Sequence, residues 1–322
     1  MTRANARIAV LFGGPSAEAG VSRSSAQGVA AALRETYANV EVLALDDALT
    51  AQLTGGAFDV VFPVLHGPPG EDGTLQGYLE ILGLPYVGSG VQASAVGMDK
   101  VAAKLAFAAA GLPLADQVVV TRDTGISEAV SRVQVALGTQ VVVKPTGQGS
   151  ALGVSIVDNA NDLHSALTEA LSFGPRALVE RRLDGREITV GVIDTDDGPK
   201  AFDVIEIVTP EDSWYDYEHR YTKGLSEHVM PAVLPEAQTA RLQAFAVAAH
   251  VALGCRDLSR ADFVVGDDAT EILLEVNTMP GMTPTSNYPD GARSFGLGFA
   301  ELVSYFVERA LGRARMVPGS EL

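Results

Sequence analysis

Residues 260–277 read RADFVVGDDATEILLEVN, two apolar stretches joined by the polar turn GDDAT. This pattern predicts an antiparallel strand pair. Folding the pair about the turn places Asp262 opposite Glu275, and because side chains alternate along a strand, Asn277 lies on the same face. Facing carboxylates would repel each other as bare anions unless hard cations such as Mg²⁺ neutralise them. The stretch therefore predicts a metal site, and its apolar residues disfavour the alternative of a solvated hairpin with scattered acids.

A second stretch, residues 141–153, reads VVVKPTGQGSALG and predicts a strand that ends in Lys144, a glycine-rich turn and another strand. Glycines allow backbone N–H groups to approach phosphate oxygens, and the lysine adds a positive charge. The stretch is not a P-loop, because no Gly-Lys-Ser/Thr follows, and it is not a dinucleotide fingerprint, because a strand rather than a helix comes next. A phosphate-binding loop and an ordinary glycine hairpin both remain open at this point.

Residues 178–183, LVERRL, predict a strand that runs into a polar connector, and Glu187 follows shortly after. Such a strand can present backbone groups and one carboxylate to the adenine and ribose of a nucleotide. On its own, the charged run of Glu180, Arg181 and Arg182 is more typical of solvated surface.

The composition excludes several classes of partner. The 322-residue chain has 23 Lys+Arg against 40 Asp+Glu, a net charge of −17, and no basic run, so we expect neither nucleic acid nor an anionic membrane as a partner. No stretch approaches the roughly 20 apolar residues of a membrane helix, and the first apolar run, residues 8–12, is too short for a signal-peptide core. The single Cys255 cannot form an internal disulfide. We therefore expect a cytoplasmic protein.

The first part of the chain alternates short apolar runs with helical patterns, which predicts βαβ units on a parallel sheet and hence an α/β fold. Strands are predicted at residues 7–12, 39–45 and 60–65, and a helix at 22–33. The glycine- and proline-containing stretch 83–90 predicts a domain boundary. Three domains are expected, spanning residues 1–92, 93–183 and 184–322.

The middle of the chain predicts a helix followed by a small α+β unit, and the last third begins with a strand pair. Helices are predicted at residues 98–110, 126–137, 162–171, 235–253 and 298–311, and strands at 117–121, 140–144, 154–157, 177–180, 187–193 and 200–208. Residues 209–231 are long and irregular, which predicts a lid over a cleft.

Taken in order, these segments resemble the ATP-grasp enzymes and, more narrowly, the D-alanine–D-alanine ligases. The resemblance covers nearly the whole chain. It is carried by GGPSAE at 13–18, LHG at 65–67, GEDGTLQG at 70–77, GSG at 88–90, MDK at 98–100, KP at 144–145, GS at 149–150, YDYE at 215–218 with Tyr221, RAD at 260–262 and EVNTMPGMT at 275–283. It implies a three-domain ATP-grasp architecture with an N-terminal parallel-sheet domain and with ATP between the central and C-terminal domains.

The resemblance also implies a reaction, the ATP-dependent joining of two D-alanine molecules through an acyl phosphate for peptidoglycan precursor synthesis. Nucleotide contacts are implied for Lys100, Lys144, Glu180, Arg181, Leu183, Glu187 and Arg220, and two Mg²⁺ ions, with Mn²⁺ as an alternative, for Asp262, Glu275 and Asn277. Catalytic roles are implied for Glu18, Ser150, Tyr221 and Arg260, and substrate contacts for His66, Gly281 and Ser286. ATP and D-alanine are the implied small-molecule partners, and a homodimer is one assembly that the sequence leaves open.

Three alternatives differ in function. A ligase of the same fold that makes another D-amino-acid dipeptide or a depsipeptide, in resistance or secondary metabolism, stays open, although Tyr221 favours an amine nucleophile because ester-forming relatives tend to lose this tyrosine. A nonenzymatic nucleotide-binding regulator would have no use for Arg260 together with the implied metal ligands. A nicotinamide dehydrogenase is excluded, because residues 13–15, GGP, lack the G-x-G-x-x-G spacing.

Overall fold

The computed structural model describes residues 3–15, 19–210, 222 and 224–314, and in these ranges the chain is a mixed α/β protein with three sheets. The N-terminal sheet is parallel, as predicted, with strand order β2-β1-β3. Its strands are β1 Arg7–Phe12, β2 Asn39–Ala44 and β3 Val60–Pro63, and the helices of this region are α1 Ala19–Leu33, α2 Leu49–Gly55, α3 Thr74–Ile81 and α4 Val91–Met98. The sequence predicted the strands and α1 but missed α2, α3 and α4, which have only seven or eight residues each.

The second sheet is antiparallel and has the order β4-β7-β5-β6. Its strands are β4 Gln117–Thr121, β5 Val141–Pro145, β6 Ser155–Val157 and β7 Arg176–Arg181, and its helices are α6 Ile126–Leu137 and α7 Ala160–Ser172. The helices pack on the sheet because their apolar stripes, with Val133 and Leu167, share one core with Val143 and Val179 of the strands. Every predicted element of this unit is confirmed to within two residues at each end.

The helix before this sheet, α5 Lys100–Ala109, begins later than the predicted helix 98–110. Asp99 has an extended backbone and separates α4 from α5. Its carboxylate accepts hydrogen bonds from the backbone N–H groups of Val101 and Ala102, at 3.0 and 3.2 Å, and so caps the helix. The cap makes Lys100 the first residue of α5.

The third sheet has the order β11-β10-β8-β12-β13, with β9 paired to β8 outside this path. Its strands are β8 Arg186–Thr195, β9 Gly198–Ala201, β10 Ile205–Val208, β11 Glu227–Val229, β12 Leu258–Val265 and β13 Glu271–Asn277, and the helices of this region are α8 Glu236–Leu253 and α9 Asn287–Ser294. The single strand predicted at residues 200–208 is wrong. The chain leaves the sheet between β9 and β10 because Phe202 and Val204 are buried in two different cores.

The last helix, α10 Phe299–Ala314, packs against the first sheet of the chain. Its Phe306 shares a core with Val29 of α1 and Phe62 of β3. In the same way, Ala103 of α5 is buried in the core of the third sheet rather than the second. The domain limits expected after residues 92 and 183 stay a prediction. Within the described ranges, no helix is long and apolar enough to cross a membrane.

Candidate active site

A cavity of about 430 Å³ lies between the second and third sheets. Strands β5, β6 and β7 line one side, and strands β8, β10, β12 and β13 line the other. The lining includes the described residues for which nucleotide contacts were expected: Lys100, Lys144, Glu180, Arg181, Leu183 and Glu187. It also includes Glu275 from the predicted metal hairpin. Side chains from separate sequence motifs therefore meet in one cavity.

Glu180 on β7 lies between two lysines. Its Oε2 accepts a hydrogen bond of 2.6 Å from Lys144 Nζ on the neighbouring strand β5, and its Oε1 lies 2.6 Å from Lys104 Nζ on α5. Burial by itself would raise the pKa of the Glu180 carboxyl, but the charges of the two lysines outweigh burial and lower the pKa to about 2. Glu180 is therefore an ionised carboxylate with a cation on each oxygen.

Lys104 is not among the residues that the sequence predicts for the site. Its side chain is 1% exposed, and Nζ donates a hydrogen bond of 2.9 Å to the carbonyl oxygen of Leu273 on β13. Burial lowers the pKa of the Lys104 ammonium group, and the charge of Glu180 opposes this shift. The one signal in the sequence is its spacing of four residues from Lys100, which places the two lysines on one face of a helix.

Lys100 connects the glycine-rich loop to the metal hairpin. Its Nζ lies 2.8 Å from Glu275 Oε2 and donates a hydrogen bond of 3.0 Å to the carbonyl oxygen of Gln148. Its backbone N–H donates to the carbonyl oxygen of Thr146 at 2.9 Å. The first residue of α5 thus holds the loop and the hairpin close to each other.

The strand pair β12 and β13 has the predicted register at the site. Asp262 pairs with Glu275, as predicted, and Arg260 pairs with Asn277. A bulge between Asp262 and Phe263 shifts the pairing beyond that point by one residue. The predicted register is therefore confirmed from Arg260 to Asp262, and it is wrong only from Phe263 to the turn.

Four donor atoms surround the carboxylate of Asp262. Arg260 forms a bidentate ion pair with it, from Nε to Oδ1 at 2.8 Å and from Nη2 to Oδ2 at 2.7 Å. Asn277 Nδ2 donates to Oδ2 at 3.1 Å, and Thr189 Oγ1 donates to Oδ1 at 2.6 Å. Thr189 reaches this position because it pairs directly with Asp262 across β8 and β12. The carboxylate is therefore held in one orientation from neighbouring strands.

The donor set of the hairpin fits a hard divalent cation that also binds phosphate. Magnesium in nucleotide enzymes takes one or two carboxylates and completes its coordination with phosphate oxygens and water. Asp262, Glu275 and Asn277 supply two carboxylates and one amide on adjoining strands. In the described part of the chain, no group of three or more His, Cys, Asp and Glu side chains is arranged to hold a metal. Two carboxylates and one amide suit an open magnesium site that substrate oxygens complete.

The glycine-rich loop between β5 and β6 turns through residues that are mostly not glycine. Ser150 and Ala151 have φ angles of 47° and 58°, in the left-handed region, which costs about 1–3 kcal/mol at each such residue. Gly153 is also left-handed, with φ 68°, and a Cβ there would lie 2.5 Å from the Phe173 ring. Strain of this kind clusters at functional sites, and the role expected for Ser150 stays a prediction.

Arg181 lines the cavity, but its guanidinium binds groups outside it. Its guanidinium donates hydrogen bonds to Asp116 Oδ2 at 3.2 Å and to the carbonyl oxygen of Leu137 at 3.1 Å. Because side chains alternate along β7, the neighbouring Glu180 points to the other face. Arg181 therefore presents its backbone rather than its guanidinium to the cavity.

The residues expected to contact the amino-acid substrates lie on loops. His66 is buried and follows the end of β3 by three residues. Ser286 directly precedes α9, and its Oγ lies 2.7 Å from Thr283 Oγ1. A Cβ at Gly281 would lie 3.1 Å from Ser286 Oγ, so these two positions are neighbours. Glu18, Arg220 and Tyr221 lie outside the described residues, as do residues 211–221 and 223 of the expected lid. The end of the predicted irregular segment is not a lid, because residues 227–229 pair with β10 as strand β11.

Comparisons with known proteins agree with the family resemblance of the motifs. Residues 105–308 match the family model described as D-ala D-ala ligase C-terminus, and residues 46–89 match the one described as D-ala D-ala ligase N-terminus. This chain belongs to the D-alanine–D-alanine ligase family. The family resemblance expected from the sequence is therefore confirmed.

Members of the family resemble this chain over almost its full length. A D-alanine–D-alanine ligase of Geobacter sulfurreducens is 46% identical over 298 residues, which cover 92% of each chain. The solved D-alanine–D-alanine ligase of Coxiella burnetii has 28% identity and a TM-score of 0.83, covering 97% of this chain and 95% of that one. A solved D-Ala:D-Ser ligase of Enterococcus faecalis has 28% identity and a TM-score of 0.81, covering 95% of this chain and 99% of that one. The fold alone therefore does not choose between the two second substrates.

Proposed function

We propose that this protein is an ATP-dependent ligase that joins two D-alanine molecules into D-alanyl-D-alanine, a precursor of peptidoglycan, through an acyl phosphate. The observation that carries the proposal is the cavity in which Lys100, Lys144 and Glu180 meet Glu275. Curated relatives of 42 to 46% identity are D-alanine–D-alanine ligases, which favours D-alanine over D-serine as the second substrate.

The reaction requires activation of a carboxylate, because oxide is a very poor leaving group. A carboxylate oxygen of the first D-alanine attacks the γ-phosphorus of ATP and ADP leaves, so that this oxygen becomes part of a phosphate leaving group. Lys100 and Lys144 line the cavity, and Arg260 is paired with Asp262 on the hairpin that also supplies Glu275. We assign to these three residues the spreading of the charge of the transferring group. Such electrostatic clamps supply most of the catalysis in phosphoryl transfer.

Asp262, Glu275 and Asn277 are the residues that would hold Mg²⁺, as two ions or with Mn²⁺ as a substitute. When bound, the metal would neutralise phosphate charge. Arg260 Nη2 lies 2.7 Å from Asp262 Oδ2, and Lys100 Nζ lies 2.8 Å from Glu275 Oε2, so each carboxylate has a cationic partner in the protein. The two carboxylates of the hairpin therefore carry negative charge that Arg260 and Lys100 compensate.

The second D-alanine attacks the acyl phosphate as a free amine, and the phosphate leaves. We assign amino-group anchoring of the first D-alanine to Glu18, closure of the acceptor site to Ser150 and Tyr221, and carboxylate contacts to His66 and Ser286. The backbone of Gly281 would steady the tetrahedral intermediate together with Arg260. Arg220 would join the cations around the phosphates. Because acyl phosphates hydrolyse, the part of the expected lid 209–231 that precedes β11 would exclude water.

We also propose a cell compartment and an assembly. ATP and D-alanine are small polar substrates, and we propose the cytoplasm, where ATP is made, as the place of reaction. The net charge of −17 argues against nucleic acid and anionic membranes as partners. A homodimer is the assembly we propose to test first, by light scattering.

The function is tested with purified protein, ATP, Mg²⁺ and a panel of D- and L-amino acids with D-lactate. Phosphate release and product mass are measured together. D-alanine alone should give D-alanyl-D-alanine with one phosphate per dipeptide. A faster reaction of D-alanine with D-serine or D-lactate would favour the alternative ligase, and phosphate release without any dipeptide would contradict ligation.

The metal assignment is tested with Asp262→Asn and Glu275→Gln. Each change should lower turnover by orders of magnitude and weaken Mn²⁺ binding in the presence of ADP, measured by electron paramagnetic resonance, because one carboxylate of the site is lost. Asp267→Asn, on the exposed turn of the same hairpin, is the matched control and should bind Mn²⁺ normally. Normal Mn²⁺ binding by both site variants would refute the assignment.

A further inference from the structure

The ammonium group of Lys104 is buried next to the nucleotide cavity but is not part of its lining. A buried ammonium group is costly unless it is paired and hydrogen-bonded. Lys104 meets both conditions, with Glu180 Oε1 at 2.6 Å and the carbonyl oxygen of Leu273 at 2.9 Å. None of the steps proposed above uses it, so its presence needs another explanation.

The charges around Glu180 do not cancel. One carboxylate lies between two ammonium groups, each 2.6 Å from a different oxygen. Lys104 is 1% exposed, whereas Lys144 is 14% exposed and lines the cavity. The deep pair of Lys104 and Glu180 is neutral, which leaves one net positive charge on Lys144. Without Lys104, the carboxylate would neutralise Lys144 instead.

Lys104 also joins the two sides of the cavity. Glu180 belongs to β7 of the second sheet, and Leu273 belongs to β13 of the third sheet. Helix α5, which carries Lys104, is anchored in the core of the third sheet through Ala103 and Phe107. One ammonium group therefore contacts both walls at once.

We propose that Lys104 is a positioning residue for nucleotide binding: it takes up the charge of Glu180, so that Lys144 keeps a net positive charge for the triphosphate. The proposal rests on the proposed function, because it assumes that ATP occupies the cavity. The proposal predicts that loss of Lys104 weakens the binding of the charged phosphates and has little effect on the binding of the adenine and ribose. A purely structural role would weaken all nucleosides and nucleotides alike.

The test compares binding of ATP and adenosine by isothermal titration calorimetry, without amino-acid substrate. Lys104→Met keeps the length of the side chain but removes its charge. The preference for ATP, defined as the dissociation constant of adenosine divided by that of ATP, should fall about tenfold, because the site loses its net positive charge. Lys200→Met is the matched control, since it removes one exposed positive charge on β9, and its preference should stay at the wild-type value. An unchanged preference in Lys104→Met would overturn the proposal.

The double variant Lys104→Met with Glu180→Gln separates charge from structure. It removes the neutral pair as a whole and leaves Lys144 with its positive charge, so the preference for ATP should return to within about twofold of wild type. A structural tether predicts no such recovery, because more contacts are lost in the double variant than in the single one. Failure of the recovery would overturn the charge role.

Glu180→Gln alone provides a further measurement if Lys104→Met does not fold. It removes the carboxylate that would otherwise neutralise Lys144, and the buried Lys104 loses the partner that favours its charge, so the preference for ATP over adenosine should not fall below the wild-type value. A fall in that preference would overturn the proposal. Because every readout is binding, a wild type that binds ATP but forms no dipeptide would contradict the proposed function alone.

Discussion

Glu180 illustrates how single residues set the properties of the site. Its side chain is 3% exposed, yet the charges of Lys144 and Lys104 hold its pKa at about 2, against burial, which would raise it. The carboxylate therefore stabilises the folded protein only while it is ionised. The resemblance implied an adenine or ribose contact for this residue. The structure shows in addition that its carboxylate pairs with two lysines.

The acid dependence of stability follows from the lowered pKa. With a folded pKa of about 2 against an ordinary value of 4.5, Glu180 contributes stability above pH 4.5 that is lost as the pH falls towards 2. Wild type should exceed Glu180→Gln in unfolding free energy by about 3 kcal/mol at neutral pH, and the difference should shrink below pH 4.5. Urea unfolding from pH 7 to pH 3 measures it, with the exposed Glu169→Gln as control. A difference that stays constant with pH would contradict the ionised state.

Thr189 is a second residue whose importance no sequence pattern indicated. Its hydroxyl is buried and donates to Asp262 Oδ1 at 2.6 Å. Thr189→Val keeps the shape and removes this bond, which for a charged acceptor is worth about 1.5–3 kcal/mol. We expect weaker Mn²⁺ binding in the presence of ADP, by roughly tenfold at the lower end of that range. Thr189→Ser keeps the hydroxyl and should bind Mn²⁺ with wild-type affinity. An equal loss of Mn²⁺ affinity in both variants would show that packing, and not the hydrogen bond, matters.

At the scale of elements, the start of α5 determines where Lys100 lies. Asp99 caps the helix and also forms an ion pair with Arg176 on β7. The cap and the ion pair together attach the helix start to the second sheet, while Lys100 contacts Glu275 of the third sheet. A helix that began at residue 98, as the sequence predicts, would carry Lys100 inside its first turn and leave no cap at Asp99.

Removing the cap should therefore affect both stability and binding. Asp99→Ala should lower the unfolding free energy by about 1 kcal/mol, the usual value of an N-cap, and should weaken ATP binding because Lys100 is the next residue. Asp99→Asn keeps the capping oxygen and loses only the charge towards Arg176. Thermal unfolding and calorimetry measure the two effects. If the two variants behave alike, the ion pair and not the cap positions the helix.

At the scale of the whole molecule, an ion pair between a buried carboxylate and a partly exposed arginine joins distant parts of the chain. Asp257, at the start of β12, is fully buried and accepts from Arg313 of α10 at 2.5 and 2.8 Å. The backbone N–H of Gly88 donates to Asp257 at 2.8 Å, and Arg313 also donates to the carbonyl oxygen of Tyr86 at 2.7 Å. This cluster links the third sheet, the last helix and the end of the N-terminal region.

Asp257→Asn should destabilise the protein without weakening ATP binding. The asparagine fits the left-handed backbone at this position, φ 64°, but it leaves the partly exposed Arg313 guanidinium without its carboxylate, which costs about 1.5–3 kcal/mol. Chemical denaturation should show the loss, while the ATP dissociation constant stays at the wild-type value because the cavity is lined by other residues. Asp267→Asn on the exposed turn is the control. A weaker affinity for ATP would show that the cluster is coupled to the cavity.

The sequence by itself determined the elements whose signal is local. The alternation along residues 260–277 was enough to pair Asp262 with Glu275, because strand periodicity and a polar turn fix which residues face each other. The parallel first sheet and the short motifs that identified the family are equally local. The break at Asp99 and the bulge after Asp262 escaped prediction, since neither changes the apolar pattern.

Only the tertiary structure decided which residues of different motifs act together. Lys104 lies 169 residues from Leu273 and becomes a buried cation only because α5 packs between two sheets. The guanidinium of Arg181 turns away from the cavity because Asp116 is next to it. Burial and pairing of charges depend on which distant segments meet, and a sequence pattern carries no information about that. The charge that reaches the nucleotide is therefore a property of the folded molecule.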